Sequence, residues 1–274
     1  MRGEASRIAD RTARDMLAPK LKGAGEHAWR VGQELFTVTN LLDHNAKLEH
    51  AFTDQSRSLD DKLSLLRGMF EGKADPTTIE ILSDLIERKW SRPSDIANAV
   101  EDFAVDAMMY YADDSDSTLQ VSLELAELHS ALLKLPLLRA QLSDDSSDPA
   151  PRVALIDSVL KGNTLNRVTM RLAEHATCNL RNRRYLSTIQ WLIGKFSRHM
   201  GQSMVTVTTA TPLSGEQTDR LTQVYSKKMG HPVHINSVVD SSVIGGMRIQ
   251  AGDEVTDNTV QAQLRELHRL VTSG

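Results

Sequence analysis

The 274 residues are 40% apolar and 25% charged, proportions of a globular chain long enough for two or three cores. A formal net charge of −4 argues against binding nucleic acid by phosphate neutralisation. A single cysteine, Cys178, excludes an internal disulfide framework and fits a reducing compartment.

The first residues, MRGEASRIADRTARDM, mix charge with small apolar side chains and contain no hydrophobic signal core. To about Gly201 the apolar spacing is helical. Val31, Leu35, Val38 and Leu42 share one helix face, and Val121, Leu125, Leu128 and Leu132 repeat that spacing 90 residues later. The correspondence continues through Glu34 and Glu124, Leu48 and Leu138, Asp54 and Asp144, Leu65 and Leu155, Gly72 and Gly162, and Leu82 and Leu172. With three extra residues placed near the arginine-rich turn, Ile96, Val100 and Phe103 fall on Ile189, Ile193 and Phe196. A match that runs through turn glycines to a final Phe reads as a duplicated helical module, one copy over 1–110 and the other over 111–200. The longest apolar stretch, Tyr185 to Gly194, contains Ser187, Thr188 and Gln190. A bilayer-spanning helix needs roughly 20 apolar residues, so the chain is expected to be soluble and cytoplasmic.

Charge is uneven within the second copy. Residues 101–148 hold eleven acids and two bases, whereas residues 149–200 hold nine bases and two acids. The two stretches are expected to fold against one another and partly neutralise. The alternative is a cationic partner surface near Arg181, Arg183, Arg184 and Arg198.

After Gly201 the period changes. Residues 204–210, MVTVTTA, alternate as a strand. Ser214 and Gln217 form a capping box, Leu221, Val224 and Tyr225 line one face of the helix it opens, and Gly230 stops it. Val233 and Ile235 share a face of the next strand, and Met247, Ile249 and Ala251 share a face of another. Between them Asp240-Ser241-Ser242 reads as a turn whose Asp caps backbone amides, and Gly245-Gly246 permits a close backbone approach. Asp257 or Thr259 can cap a final helix striped by Val260, Leu264, Leu267 and Val271. The expected fold class is mainly α: helical bundle modules followed by a small α/β domain over 201–274.

The chemistry-bearing residues form no recognised constellation. The nine histidines are scattered, His175, Cys178 and His199 lack a zinc spacing, and no Cys-x-x-Cys occurs. In VIGGMRIQAGD the glycines precede a strand, not a helix N-terminus, so the amide dipole of a phosphate loop is missing. No Gly-x-Ser-x-Gly elbow is present. Arg88, Lys89, Trp90 and Arg92, and again Arg183, Arg184 and Tyr185, set cations beside aromatics. A helical-repeat RNA or ribonucleoprotein adaptor is the alternative that such clusters suggest, but the net acidity favours inter-helix turns whose rings pack inward. No catalytic residue, metal site or cofactor is expected, and the apolar faces and grooves that remain are those of a connector.

Val233, Ile235, Val239, Asp240, Val243, Gly245, Gly246, Met247, Ile249, Gln250 and Gly252 fill a known pattern of alternating apolar positions, an apolar-Asp pair, a Gly-Gly pair and a closing glycine. Upstream, VTVTTATPLSGEQ (205–217) gives a strand-Pro-Leu-Ser-helix entry. Downstream, GDEVTD (252–257), with Asp253 and Asp257, gives a Gly-Asp-x-Val-x-Asp hairpin. Together these resemble the delta subunit of F-type ATP synthases, whose mitochondrial relative is the oligomycin-sensitivity-conferring protein. The likeness covers 204–272 and is weaker over 118–200, where Asn182, Arg184 and the Ile189-to-Phe196 run support it. The first 110 residues match as the extra helical copy of long bacterial members. Asp257-Asn258-Thr259 stands where the family has Asp-Gly-Ser, a turn expected to survive because Asn tolerates a left-handed backbone. The family's opening Tyr-Ala-x-Ala-Leu helix has only a poor echo, AMMYYA (107–112).

The resemblance implies a noncatalytic stator component on the cytoplasmic face of the cell membrane, held there indirectly. By that resemblance, residues 111–200 receive an N-terminal helix of an alpha subunit, and residues 201–274 engage the b subunits of the peripheral stalk. It implies no cofactor and no nucleic acid.

Overall fold

The computed structural model describes residues 4–272 apart from Ser147, Asn179, Asn182 and Asp253. Expectations placed on Asn182 and Asp253, and on the side chains of Leu267 and Val271, therefore lie outside the described residues. Helices come first: α1 (Glu4–Leu21), α2 (Glu26–Asp43), α3 (Ala46–Thr53), α4 (Leu59–Phe70), α5 (Pro76–Glu87), α6 (Ser94–Asp114), α7 (Thr118–Leu133), α8 (Pro136–Leu142), α9 (Pro149–Leu160), α10 (Arg167–Cys178) and α11 (Tyr185–His199). The tail follows as β1 (Ser203–Thr209), α12 (Gly215–Met229), β2 (Val233–Val239), β3 (Met247–Ala251), β4 (Glu254–Asp257) and α13 (Val260–Thr272). The fold is mainly α with a small α/β tail.

The repeat recurs in the hydrogen bonds. Helix N-termini leave amides without intrahelical partners, and an acceptor placed there is doubly favoured by the amides and by the helix dipole. Glu34 on α2 fills this need at α5, accepting from Asp75 N at 2.8 Å and Thr78 Oγ1 at 2.7 Å. Glu124 on α7 does the same at α10, accepting from Asn166 N at 3.0 Å and from Thr169 Oγ1. Asp75 and Asn166 then each accept from the amide two residues on, both at 2.9 Å. Asp54 and Asp144 each close a short turn by accepting from Ser56 N at 2.9 Å and Ser146 N at 3.0 Å.

These bonds correct the register of the repeat in one place. Three steps separate Gly72 from Asp75 and four separate Gly162 from Asn166, so the first extra residue lies before α10 and not at the arginine-rich turn. Leu172 consequently takes the place of Ile81, not Leu82, and both are buried. The repeat also gives α6 two places. Shifted by 90 residues α1 falls on α6, with buried Ser6, Ala9 and Ala13 on buried Ile96, Ala99 and Phe103. Shifted by 93 residues, Ile96, Val100 and Phe103 of α6 fall on Ile189, Ile193 and Phe196 of α11, all buried. One long helix thus stands last in one copy and first in the other.

The chain divides into two units, Met1–Thr118 with Asp148–Asp157 and Met170–Asn182, and Leu119–Ser147 with Ser158–Thr169 and Arg183–Gly274. In the first unit α2 packs chiefly on α6, around Val31, Leu35, Phe36 and Phe103. Members of the acidic and basic stretches meet there. Glu101 pairs with His175 at 2.9 Å and with Arg181 at 3.0 Å, and Arg181 also reaches Asp43 at 2.7 Å. Burial holds His175 below the ordinary imidazole value. The inward-ring reading of the turns also holds: Trp90 is buried and donates to Leu85 O at 2.8 Å, while Lys89 and Arg92 are exposed. In the second unit Tyr185 is buried, Arg184 is exposed, and the Arg183 guanidinium sits 5.5 Å from the Trp191 ring centre.

Glu34→Ala and Glu124→Ala are each expected to cost about 1–3 kcal/mol, since each strands helix-terminal donors. Urea unfolding of the full chain with amide exchange checks this: exchange should quicken at the start of α5 in the first variant and of α10 in the second. A large loss in one and none in the other would contradict the equivalence of the two networks.

Candidate docking site

The tail is built on a four-stranded sheet in the order β2-β1-β3-β4. β1 and β2 are parallel, joined by the α12 crossover, and β3 pairs antiparallel with both β1 and β4. Alternation puts Val205, Val207, Val233, Ile235 and Ile249 on one face, where Leu221, Tyr225 and Met229 of α12 cover them. Ser214 and Gln217 form the expected capping box and Gly230 ends α12 in the left-handed region. Val224 departs from expectation: it is exposed and packs on nothing in this core, because α12 presents only a narrow stripe to the sheet. The opposite face of β1 packs on α11.

Five of the signature residues, Val233, Ile235, Asp240, Val243 and Ile249, shape this body from inside it. Val233, Ile235, Val243 and Ile249 are buried. The amide of Asp240 extends the β1 pairing by donating to Thr209 O at 2.8 Å, and its carboxylate accepts from Ser242 N at 2.9 Å and Ser242 Oγ at 2.7 Å. The second carboxylate oxygen meets Lys134 Nζ, just past α7, at 2.8 Å. Lys134 and Ser242 together hold the Asp240 carboxyl down to about 2. Sequence reasoning found the Ser242 turn but missed Lys134, for no local pattern links a lysine between two short helices to a distant strand end. A second tie was also missed: Gln190 of α11 donates to Gly252 O at 3.0 Å, and Gln250 reaches Gln190 at 3.3 Å.

The glycine pair has the role its spacing suggests. Gly246 has φ +77°, and a Cβ there would lie 2.2 Å from Asn258 O. Gly245 O accepts from Val260 N at 3.0 Å, which sets the 244–246 segment against the start of α13. Asp257 accepts from Thr259 N at 3.1 Å and Thr259 Oγ1 at 2.7 Å, and Thr259 Oγ1 in turn accepts from Ala262 N at 3.2 Å. Thr259 therefore caps α13 and Asp257 holds the cap. Asn258 is not left-handed, contrary to expectation; the positive φ falls on Gly246, across the contact.

What this frame leaves outward is apolar. Ile244 is 75% exposed and Leu264 57%, and Val239, Val255 and Val260 are also exposed. Val239 is the signature residue with a large apolar side chain in water. Ile244 was not singled out in the sequence, although an isoleucine beside a glycine pair in a tight turn has few ways to be buried. Among the described residues no three His, Cys, Asp or Glu gather to hold a metal ion, and no helix is long and apolar enough to cross a membrane. Apolar side chains held out on a pinned frame suit docking of another protein.

Comparison with known proteins gives a consistent result. The profile of the ATP synthase delta (OSCP) subunit matches residues 103–271, starting within α6. The chain is 65% identical to ATP synthase subunit delta of Bifidobacterium adolescentis, over 99% of this chain and 98% of that one. It is 66% identical to the protein of the same name from Bifidobacterium longum, with the same coverage. The Beutenbergia cavernae ATP synthase subunit delta is 31% identical over 94% of this chain and 95% of its own.

Two substitutions test the frame. Gly246→Ala should cost about 3 kcal/mol or more, because both the left-handed backbone and the Asn258 carbonyl oppose a methyl group. Asp240→Asn should cost about 1–2 kcal/mol at pH 7, less than the full shift suggests because Lys134 is partly in water. The folded-state carboxyl titrates below its unfolded value, so the wild-type advantage is complete above about pH 4 and fades as pH falls towards 2. Urea midpoints of the two proteins that coincide at pH 7 would contradict the pairing.

Proposed function

The chain belongs to the ATP synthase delta (OSCP) family, and on that premise we propose that it ties the catalytic head to the membrane-anchored b subunits in the peripheral stalk. As a delta subunit it is a noncatalytic part of the ATP synthase complex. The observation that carries the stator reading is the end-to-end identity with subunits delta, and the exposed apolar frame of the tail supports it.

In this reading residues 111–200 take an N-terminal helix of an alpha subunit, residues 201–274 engage the ends of the b helices, and residues 1–110 extend the grip. Val233, Ile235, Asp240, Val243, Gly245, Gly246, Ile249, Gly252 and Asp257 hold the tail in shape, while Val239, Ile244, Val260 and Leu264 meet the stalk. The chain then lies at the cytoplasmic face of the membrane without entering it. Helix docking onto apolar faces requires no reactive group, and contacts in series gain from one another because each tether raises the effective concentration of the next. The RNA-adaptor alternative has no comparable support.

Crosslinking in native membranes is expected to join the tail to b subunits and the helical part to an alpha subunit. A purified ATP synthase complex that lacks this polypeptide would overturn the reading.

A further inference from the structure

The two copies part company at one place. α7 follows α2 by 90 residues and α11 follows α6 by 93, so Phe36, Thr39, Glu101 and Val105 correspond to Ala126, His129, Gly194 and Arg198. Phe36, Thr39 and Glu101 are buried, and Glu101 meets His175 Nε2 at 2.9 Å and Arg181 Nη1 at 3.0 Å. The Phe36 ring centre lies 4.0 Å from that of His175. The first unit thus closes this place with a phenyl ring and a carboxylate of its own.

The second unit has neither. Ala126 and Gly194 stand in their positions, and a cavity of about 520 Å³ lies beside α7 and α11, lined by His129, Leu186, Gln190, Trp191, Gly194 and Arg198 among others. A further space of about 20 Å³ shares His129 and Gln190 and reaches Ala126. His129 is only 8% exposed and has no hydrogen-bond partner among the described residues. Burial holds its ring below the ordinary imidazole value, so it is neutral at pH 7 and has one N–H to donate. A ring so nearly enclosed leaves its polar atoms to whatever enters the cavity. Arg198 is the charged side chain among the lining residues, and it pairs with no carboxylate among the described residues. Its guanidinium lies close to Gly194, where an added Cβ would stand 3.3 Å from Nη1. Lys195 and Arg183 add positive charge 5.3 and 5.5 Å from the centre of the Trp191 ring. The cavity therefore offers cations, a free donor and an apolar wall, without the acid that Glu101 supplies in the first unit.

We propose that this cavity binds a small aromatic carboxylate, which brings the ring and the acid that Phe36 and Glu101 provide in the first unit. The carboxylate meets Arg198 and accepts from His129, and the ring lies against Leu186 and Trp191. This goes beyond the stator reading, in which no small molecule takes part.

The test titrates phenylacetate into the purified full-length chain by calorimetry. Saturable one-to-one binding is expected, with a dissociation constant of about 1 mM or tighter, as suits a ligand of this size. G194E installs the first-copy carboxylate beside Arg198 and should abolish binding, with an unchanged or raised melting temperature because glutamate favours a helix over glycine. R198V installs the first-copy valine and should weaken binding roughly tenfold or more, the worth of a charge-assisted hydrogen bond. Equal affinity of wild type and R198V, undiminished binding by G194E, equal binding of the neutral phenylacetamide, or no saturable heat from phenylacetate would each overturn the proposal. None of these outcomes depends on whether the chain travels with ATP synthase, so the two readings can fail separately.

Discussion

The buried carboxylate of Asp240 ties the sheet of the tail to the residue just past α7. Its amide continues the β1–β2 ladder, its side chain closes the turn through Ser242, and its remaining oxygen pairs with Lys134. Lys134 is partly in water, so the pair itself contributes modestly, and it is the loss of Lys134 that would leave a buried charge without its counter-ion. The Gln190–Gly252 hydrogen bond makes a second tie between helix and hairpin. Helices and sheet in this unit therefore share polar contacts on top of apolar packing.

Five signature residues, Val233, Ile235, Asp240, Val243 and Ile249, are hidden, and others act on the backbone. Val233, Ile235 and Ile249 fill the core, Gly246 admits the Asn258 backbone, and Asp257 steadies the Thr259 cap. Each fixes the shape that holds Ile244 and Leu264 in water. Within the signature, Val239 is the apolar side chain that stays in water.

In the helical part, duplication separates what the fold needs from what it does not. Glu34 and Glu124 keep the same task, accepting from the first residues of α5 and α10, because helix-terminal amides must be satisfied in either copy. Surface residues are under no such constraint and have diverged, to Asn45 and Lys47 in one copy and Leu135 and Leu137 in the other. The doubled use of α6 lets two copies join without a connecting loop. Much of this was legible beforehand. Period, capping residues and turn glycines are local signals, and they gave the helices, the α12 box, the strands and the Gly246 approach. Contacts between distant segments left no local trace: Lys134 with Asp240, Gln190 with Gly252, and the exposure of Val224 all depend on how elements pack. The extra residue before α10 was misplaced because apolar spacing tolerates a one-residue slip, whereas the Glu124 hydrogen bonds do not.

The role proposed for this noncatalytic subunit is mechanical, to hold the head still against the stalk. ATP-driven proton pumping by inverted membrane vesicles, measured beside ATP hydrolysis, tests it most directly. Vesicles stripped of this chain should still hydrolyse ATP yet fail to pump, and adding back the full chain should restore pumping. Pumping that persists undiminished after stripping would contradict the account.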